Sequence, residues 1–319
     1  VRKNPKLPLF LTTAILGFCG AAFAAQSGGI VSGLSAPPVP RIRPPDEPLF
    51  ASPTRLDRIG RIVAPVMING QGPFRLVVDT GASHTTLSPE LAARLGLAPK
   101  ENVVLMLNGV TGAEPVPAVR LARLQAGDLI VEDVDAPIVQ TSVMAGADGI
   151  LGVAGLQRER ITVDFQRDRI TISRSHSNDN SSGMLRIQAT RVAGGLLMVE
   201  TRIGGVKART VIDTGAERTL GNVVLRDQLR LRKRIGEAQE VTTVFGTTSE
   251  VSAGELLHIP TMVLGGATIN QVNVVFGDFH IFKVWELDKE PTLLLGMDVL
   301  GTVRQLIIDY RRREVYVRA

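Results

Sequence analysis

A chain of 319 residues with 44% hydrophobic residues can fold as two modest units, each with a buried core, which excludes a disordered chain. Aromatic residues make up only 4%, while Val, Ile, Leu and Thr recur in short runs punctuated by 32 glycines, so strands and turns are favoured over long helices. The formal charge of +5 falls to 33 − 31 = +2 once Arg2, Lys3 and Lys6 of the first 25 residues are set aside; the folded part is nearly balanced, and no nucleic-acid partner is expected.

In chain order, residues 1–25 open on those three cations, run through an apolar stretch from Leu7 to Gly20 and finish on Ala21-Ala22-Phe23-Ala24-Ala25. This is the pattern of a signal peptide. The competing reading is a retained membrane anchor, because Leu7 to Ala25 approaches the length of a bilayer span. Under either reading the bulk of the chain lies outside the cytoplasm, periplasmic or secreted. The single cysteine, Cys19, sits inside this run behind the bulky Phe18, so no disulfide, thiol catalysis or cysteine-based metal site is expected. Residues 26–55 are rich in Pro, Gly and Ser, with Pro37-Pro38-Val39-Pro40 and Pro44-Pro45, and read as an extended tether. An inhibitory leader is the alternative, and it rests on position alone.

The first folded unit is placed at 56–173. It begins with strand-type runs around Ile62-Val63 and Val66-Met67-Ile68, a turn at Asn69-Gly70 and a strand leading to Asp79. Ser88-Pro89-Glu90-Leu91 to Gly96 reads as a short helix with Ser88 as cap, Pro89 at the first position and Gly96 as terminator. A hairpin follows around Asn108-Gly109-Val110-Thr111-Gly112, and strands close the unit over 160–172. The polar stretch 174–184 reads as a linker. The second unit, 185–319, then repeats the first in the same order. Leu76-Val77-Val78-Asp79-Thr80-Gly81-Ala82 returns as Thr210-Val211-Ile212-Asp213-Thr214-Gly215-Ala216, a shift of 213 − 79 = 134 positions. The hairpin glycine Gly109 is answered by Gly246, Ile150-Leu151-Gly152 by Leu294-Leu295-Gly296, and the closing strands by those around Leu306 and Val315.

One Asp-Gly turn at a strand end is common and its carboxylate often only caps backbone donors. Two copies, each preceded by apolar β-branched residues and matched downstream by two apolar residues and a glycine, point to two carboxylates facing each other across a cleft. The downstream glycine fits physically, since it lets another strand pass close beside the acid turn.

These residues resemble the retropepsin-like branch of the aspartic peptidases over roughly 56–318, in the form of exported bacterial proteases that carry two Asp-Thr-Gly lobes in one chain. The resemblance implies a bilobal all-β fold of two β-barrel lobes with short helices. It also implies an aspartic endopeptidase, active as a monomer, that hydrolyses extended polypeptide segments with Asp79 and Asp213 around one water and no cofactor or metal. By the same resemblance Thr80 and Thr214 lock the two turns through hydrogen bonds, Gly81 and Gly215 keep them open, and the hairpins at Gly109 and Gly246 are flaps over the substrate. Ser83 and Glu217 stand where retroviral enzymes carry an acid, so they are candidate substrate contacts and the two sides of the cleft are unequal. Neither hairpin contains the tyrosine of the pepsin flap. Ala82 and Ala216 offer no hydroxyl beside the acid pair, so the pair should keep its shared proton to higher pH and work under mildly acidic to near-neutral conditions. The alternative from another class is a catalytically silent peptide-binding or regulatory module of the same fold in the cell envelope. His84, Asp148 and Trp285 read as structural, and the four histidines have no metal-ligand spacing.

Overall fold

The computed structural model describes residues 61–318 apart from 100–103, 141–143, 145, 178, 180 and 239, together with the short strands Leu9–Phe10, Ile15–Leu16 and Ser52–Pro53. Apart from those short strands, the export-signal and tether readings of residues 1–55 and the start of the first unit near Leu56 lie outside the described residues. Among the described residues no helix is long and apolar enough to cross a membrane.

Local chemistry sets the first elements. Strands Val63–Ile68 and Gln71–Val78 form a hairpin around Asn69-Gly70, whose φ values of 50° and 78° give the left-handed turn that matches strand twist. Helix Pro89–Arg94 starts where the Ser88 hydroxyl accepts from Leu91 N at 3.0 Å, with Pro89 in the first turn, and Gly96 ends it at φ 65°. In the second half Asn222 plays the part of Ser88, accepting from Leu225 N at 2.9 Å to open helix Val223–Leu231. The basic residues of that helix are spent on its neighbour: Arg226 and Arg230 pair with Glu255 at 2.9 and 2.6 Å.

Each half is a curled sheet. In the first, Gln71–Val78 lies between Val63–Ile68 and the parallel strand Gly149–Leu151, and the hairpin Val104–Asn108 with Ala113–Ala126 extends from the same sheet. In the second, Val206–Ile212 takes the matching place beside the parallel strand Thr292–Leu295, and the hairpin is Glu240–Phe245 with Val251–Leu264. Strand Leu197–Ile203 also pairs with Val251–Leu264, so this sheet folds back on itself.

The closing strands of the two halves do not stay apart. Glu159–Asp164 and Arg169–Arg174 from the first, with the short strand Ser52–Pro53 at the edge, join Leu185–Gln188, Gln305–Asp309 and Glu314–Arg318 from the second in one six-stranded sheet, seamed where Ile161 pairs with Ile308. This shared sheet carries both halves and fixes their relative position. The polar stretch between them is pinned to it: buried Ser175 donates its hydroxyl to Asp309 at 2.8 Å, while Arg311 donates to Ser175 O at 2.7 Å and Arg312 to His176 O at 2.9 Å. The run Arg311-Arg312-Arg313 thus has structural work for at least two of its cations.

Candidate active site

Each acid turn is built by the same contacts. Asp79 N donates to Leu151 O and Asp213 N to Leu295 O, both at 3.0 Å, so the parallel strand holds the turn at its entrance. Past the turn, Val153 N donates to Ala82 O and Met297 N to Ala216 O, both at 2.8 Å. Gly152 and Gly296 lie between these two anchors. A side-chain carbon at either would sit 2.5 or 2.6 Å from the backbone carbonyl of His84 or Arg218, inside any real contact. The glycine after the two apolar residues is therefore required by the crossing of two strands.

The two turns meet reciprocally. Thr80 Oγ1 donates to Ile212 O at 2.8 Å and accepts from Thr214 N at 3.1 Å; Thr214 Oγ1 donates to Val78 O at 2.6 Å and accepts from Thr80 N at 3.2 Å. All four bonds are buried, where each contributes about 0.5–1.5 kcal/mol and a broken one leaves an unpaired polar group. Asp79 Oδ1 accepts from Gly81 N at 2.8 Å, and Asp213 Oδ1 accepts from Gly215 N at 2.8 Å and Ala216 N at 3.1 Å. The turns are also close enough to touch: a side-chain carbon on Gly215 would lie 2.1 Å from Asp79 Cγ. Both aspartates are essentially inaccessible, at 1% and 0% exposure, so two carboxyls share one buried site.

The two hairpin tips meet each other. Gly109 packs against Thr247 and Gly246 against Thr111, with no room for a side chain at either glycine. The positions following the two turns differ, as the sequence implies. Ser83 is buried, its hydroxyl 2.9 Å from His84 Nδ1, whereas Glu217 is partly exposed beside Arg218.

Three groups near the pair bear on it, and of these the sequence marks only His84, as a structural residue. Asp298, two residues after Gly296, accepts from Thr219 N at 3.1 Å and Thr219 Oγ1 at 2.7 Å; burial holds its carboxyl above the usual range, against the pull of those two bonds and of Arg218. The corresponding residue of the first half is Ala154, so only the second turn has this brace. Tyr310 leaves the shared sheet fully buried, and among the described residues its hydroxyl has no hydrogen-bond partner. Burial and then the charge of Asp79 push it well above its ordinary range, Asp213 adding to this and Arg191 opposing it, so it stays neutral within the field of both acids. Third is His84, which burial pushes below its ordinary value against the opposing charge of Asp135.

The last shift has a measurable consequence. A base whose folded pKa is depressed binds fewer protons folded than unfolded, so stability falls as pH drops through the unfolded value of about 6.5 and levels off below the folded one. Asp298, shifted upward, acts in the opposite sense, so the wild-type curve alone does not isolate His84. The loss of urea midpoint between pH 7 and pH 5 is expected to be smaller in His84→Gln than in wild type. An equal loss in the two proteins would show that the imidazole does not titrate with folding.

Asp148 Oδ2 accepts from Arg75 N at 2.8 Å and its carboxylate pairs with Arg94, a structural use. Trp285 is core, in edge contact with Phe282. Among the described residues, no three His, Cys, Asp or Glu side chains converge as a metal site.

No curated protein matches the chain. A family model described as aspartyl protease does, over residues 64–154 and again over 199–299, one match around each Asp-Thr-Gly turn. The two matches cover more than half the chain and coincide with the two curled sheets whose turns meet at Thr80 and Thr214; the chain belongs to the aspartyl protease family, with two retropepsin-like halves fused into one bilobal all-β molecule.

Proposed function

We propose that this protein is an exported aspartic endopeptidase that cleaves extended polypeptide segments, with Asp79 and Asp213 as the catalytic pair. The observation that carries the reading is the contact of the two acid turns, where Asp79 Cγ lies against the backbone of Gly215 and both carboxyls are buried. Two carboxyls held this close do not both ionise at low cost, so the pair holds one proton between them. The ionised member takes a proton from a water molecule as the water oxygen bonds to the peptide carbonyl carbon, and the protonated member gives its proton to the carbonyl oxygen. As the diol collapses and the C–N bond breaks, the acid that took the water proton gives it to the leaving nitrogen and the other takes a hydroxyl proton from the diol, which returns the pair to one proton and leaves a carboxylic acid and an amine. Thr80 and Thr214 position the two acids, while Tyr310 stays neutral in their field and so adds no further charge to the site.

An extended substrate is supported by the outer strands of the hairpins. Leu9–Phe10 pairs parallel with Leu107 and Asn108, and Ile15–Leu16 pairs antiparallel with Phe245 and Val244, the residues just before each tip glycine. In the full chain these residues occupy the edges as short strands, and an extended substrate would add in their place.

The full chain, incubated with an unfolded protein near pH 5–6.5, should produce internal fragments. Pepstatin should suppress them, while a chelator and a serine-directed reagent should leave them unchanged. Chelator-sensitive cleavage would remove the two-carboxyl mechanism. Saturable peptide binding with no product would instead identify the silent binding module.

A further inference from the structure

The shared sheet collects the positive charge of the folded part. The segments that build nearly all of it, 157–191 and 302–318, hold twelve arginines, no lysine and six acids, a formal 12 − 6 = +6. The rest of 61–318 holds 17 cations and 22 acids, a formal 17 − 22 = −5. Ten of the twelve arginines are exposed, and they stand in two rows. At one end of the strands, where Glu159 pairs with Arg174 and Asp309 with Glu314, lie Arg158, Arg174, Arg191, Arg311 and Arg313. At the other end, where Asp164 pairs with Arg169 and with Gln305, lie Arg167, Arg169, Arg186, Arg304 and Arg318. Five residues of strand, about 17 Å, separate the rows.

Much of this charge is held in place without being cancelled. Arg311 donates to Ser175 O at 2.7 Å, Arg191 to Tyr310 O at 3.0 Å and Arg318 to Ser182 O at 3.0 Å. A carbonyl fixes a guanidinium and removes none of its charge. Of the six acids, Glu159, Asp309 and Glu314 are buried, Asp164 and Asp179 are half-buried, and Asp168 alone is exposed. The aromatic residues of these segments, Phe165, Tyr310 and Tyr316, are buried or half-buried, so they offer bases no stacking platform. The described residues of the segments form strands and turns with no α-helix to enter a groove. Guanidinium groups do suit phosphate, which they can bind through two parallel hydrogen bonds. The chain also reaches the first half along an edge of this sheet, where Ser52–Pro53 pairs with Ile170 and Arg169, so the Pro-rich stretch read as a tether joins the body at the same pole.

We propose that this arginine-rich pole docks the protein on a bilayer of anionic phospholipid, its two rows engaging the headgroup phosphates. The negative remainder of the body is repelled by the same surface, so the shared sheet, rather than the hairpins, meets the lipid. The docking does not depend on peptide hydrolysis and is measured without it.

The test compares binding of the full chain to vesicles containing phosphatidylglycerol with binding to vesicles of phosphatidylcholine alone. The apolar run from Leu7 to Gly20 has both bilayers available to it, so the difference between them reads charge. The anionic vesicles should bind at least about a hundredfold more tightly in 0.1 M salt, and the excess should vanish at 1 M, where charges are screened beyond about 3 Å. Arg158→Gln, Arg304→Gln and Arg313→Gln together should lower binding to the anionic vesicles about a hundredfold, at about fivefold for each arginine. Arg202→Gln, Lys233→Gln and Lys289→Gln, which remove the same charge outside the pole, should lower it by less than about fivefold. Equal losses in the two triple variants would overturn the pole, and equal binding to the two kinds of vesicle would overturn anionic lipid as its partner. Tighter binding to a DNA duplex than to the anionic vesicles would overturn it in favour of nucleic acid. A second measurement leaves every arginine in place. In a Cys19→Ala background, a dye on Ser177→Cys, in the stretch strapped to the shared sheet, should be quenched by a quencher-bearing headgroup, and a dye on Ser249→Cys, at the second hairpin tip, should not. The reverse pattern would overturn the orientation and the proposal with it.

Discussion

Asp79→Asn and Asp213→Asn should each lower peptide hydrolysis by about 10²–10⁴-fold, the range general acid–base catalysis contributes. The size follows from the shared proton. With one carboxyl replaced by an amide, the remaining acid cannot both accept a proton from water and have a protonated neighbour. The fold should survive, because the contacts that pin each turn use the oxygen Oδ1, which accepts from Gly81 N in Asp79 and from Gly215 N and Ala216 N in Asp213. The amide oxygen of Asn accepts the same bonds, and the four threonine bonds across the turns involve neither carboxylate. Initial rates on one peptide, with circular dichroism and urea unfolding of each variant, provide the check. A near-normal rate in either well-folded variant would exclude a mechanism that needs both acids.

Gly215→Ala should do comparable damage with the two acids still present. Its new methyl would stand 2.1 Å from Asp79 Cγ and 2.2 Å from Asp79 Oδ2, so the carboxylate has to move. Misplacing a reacting group by about 1 Å lowers a rate about 10²-fold. The turns cannot separate freely to make room, because Thr80 and Thr214 tie them together, so forced overpacking should also destabilise the protein by about 1–3 kcal/mol. Gly236→Ala is the control, since a side-chain carbon there meets nothing within 4 Å. Rates and unfolding midpoints of the two alanine variants should differ sharply. Equal behaviour would mean that the carboxylate of Asp79 does not lie against the second turn.

Much of the architecture is legible in short stretches. The helix from Pro89 follows from Ser88, Pro89 and Gly96, and the first hairpin from Asn69-Gly70, because capping and left-handed turns are decided within a few residues. Repetition extends that reach. Gly152 and Gly296 are informative because the same two-apolar-plus-glycine pattern follows both acid turns, and the close strand crossing at each explains why it recurs. Harder to read are residues whose partners lie far away along the chain. Arg311 and Arg312 resemble an exposed basic run, yet they donate to Ser175 O and His176 O, 136 positions away in each pair. Tyr310 looks like a strand residue, and only the seam between Glu159–Asp164 and Gln305–Asp309 brings it into the field of both acids. Asp298 differs from Ala154 at one position, with no pattern to show that it braces Thr219.

The sequence by itself determined two β halves, an acid turn in each and a hairpin after each turn, because strand preference, turn chemistry and glycine spacing act locally and were written twice. The tertiary structure alone decided that the halves share one sheet, that Thr80 and Thr214 exchange bonds across the join, and that Glu114 meets Ser249 between the hairpin tips. Those contacts depend on how two curled sheets settle against each other, which is set by burying the closing strands together. No local propensity encodes that registration.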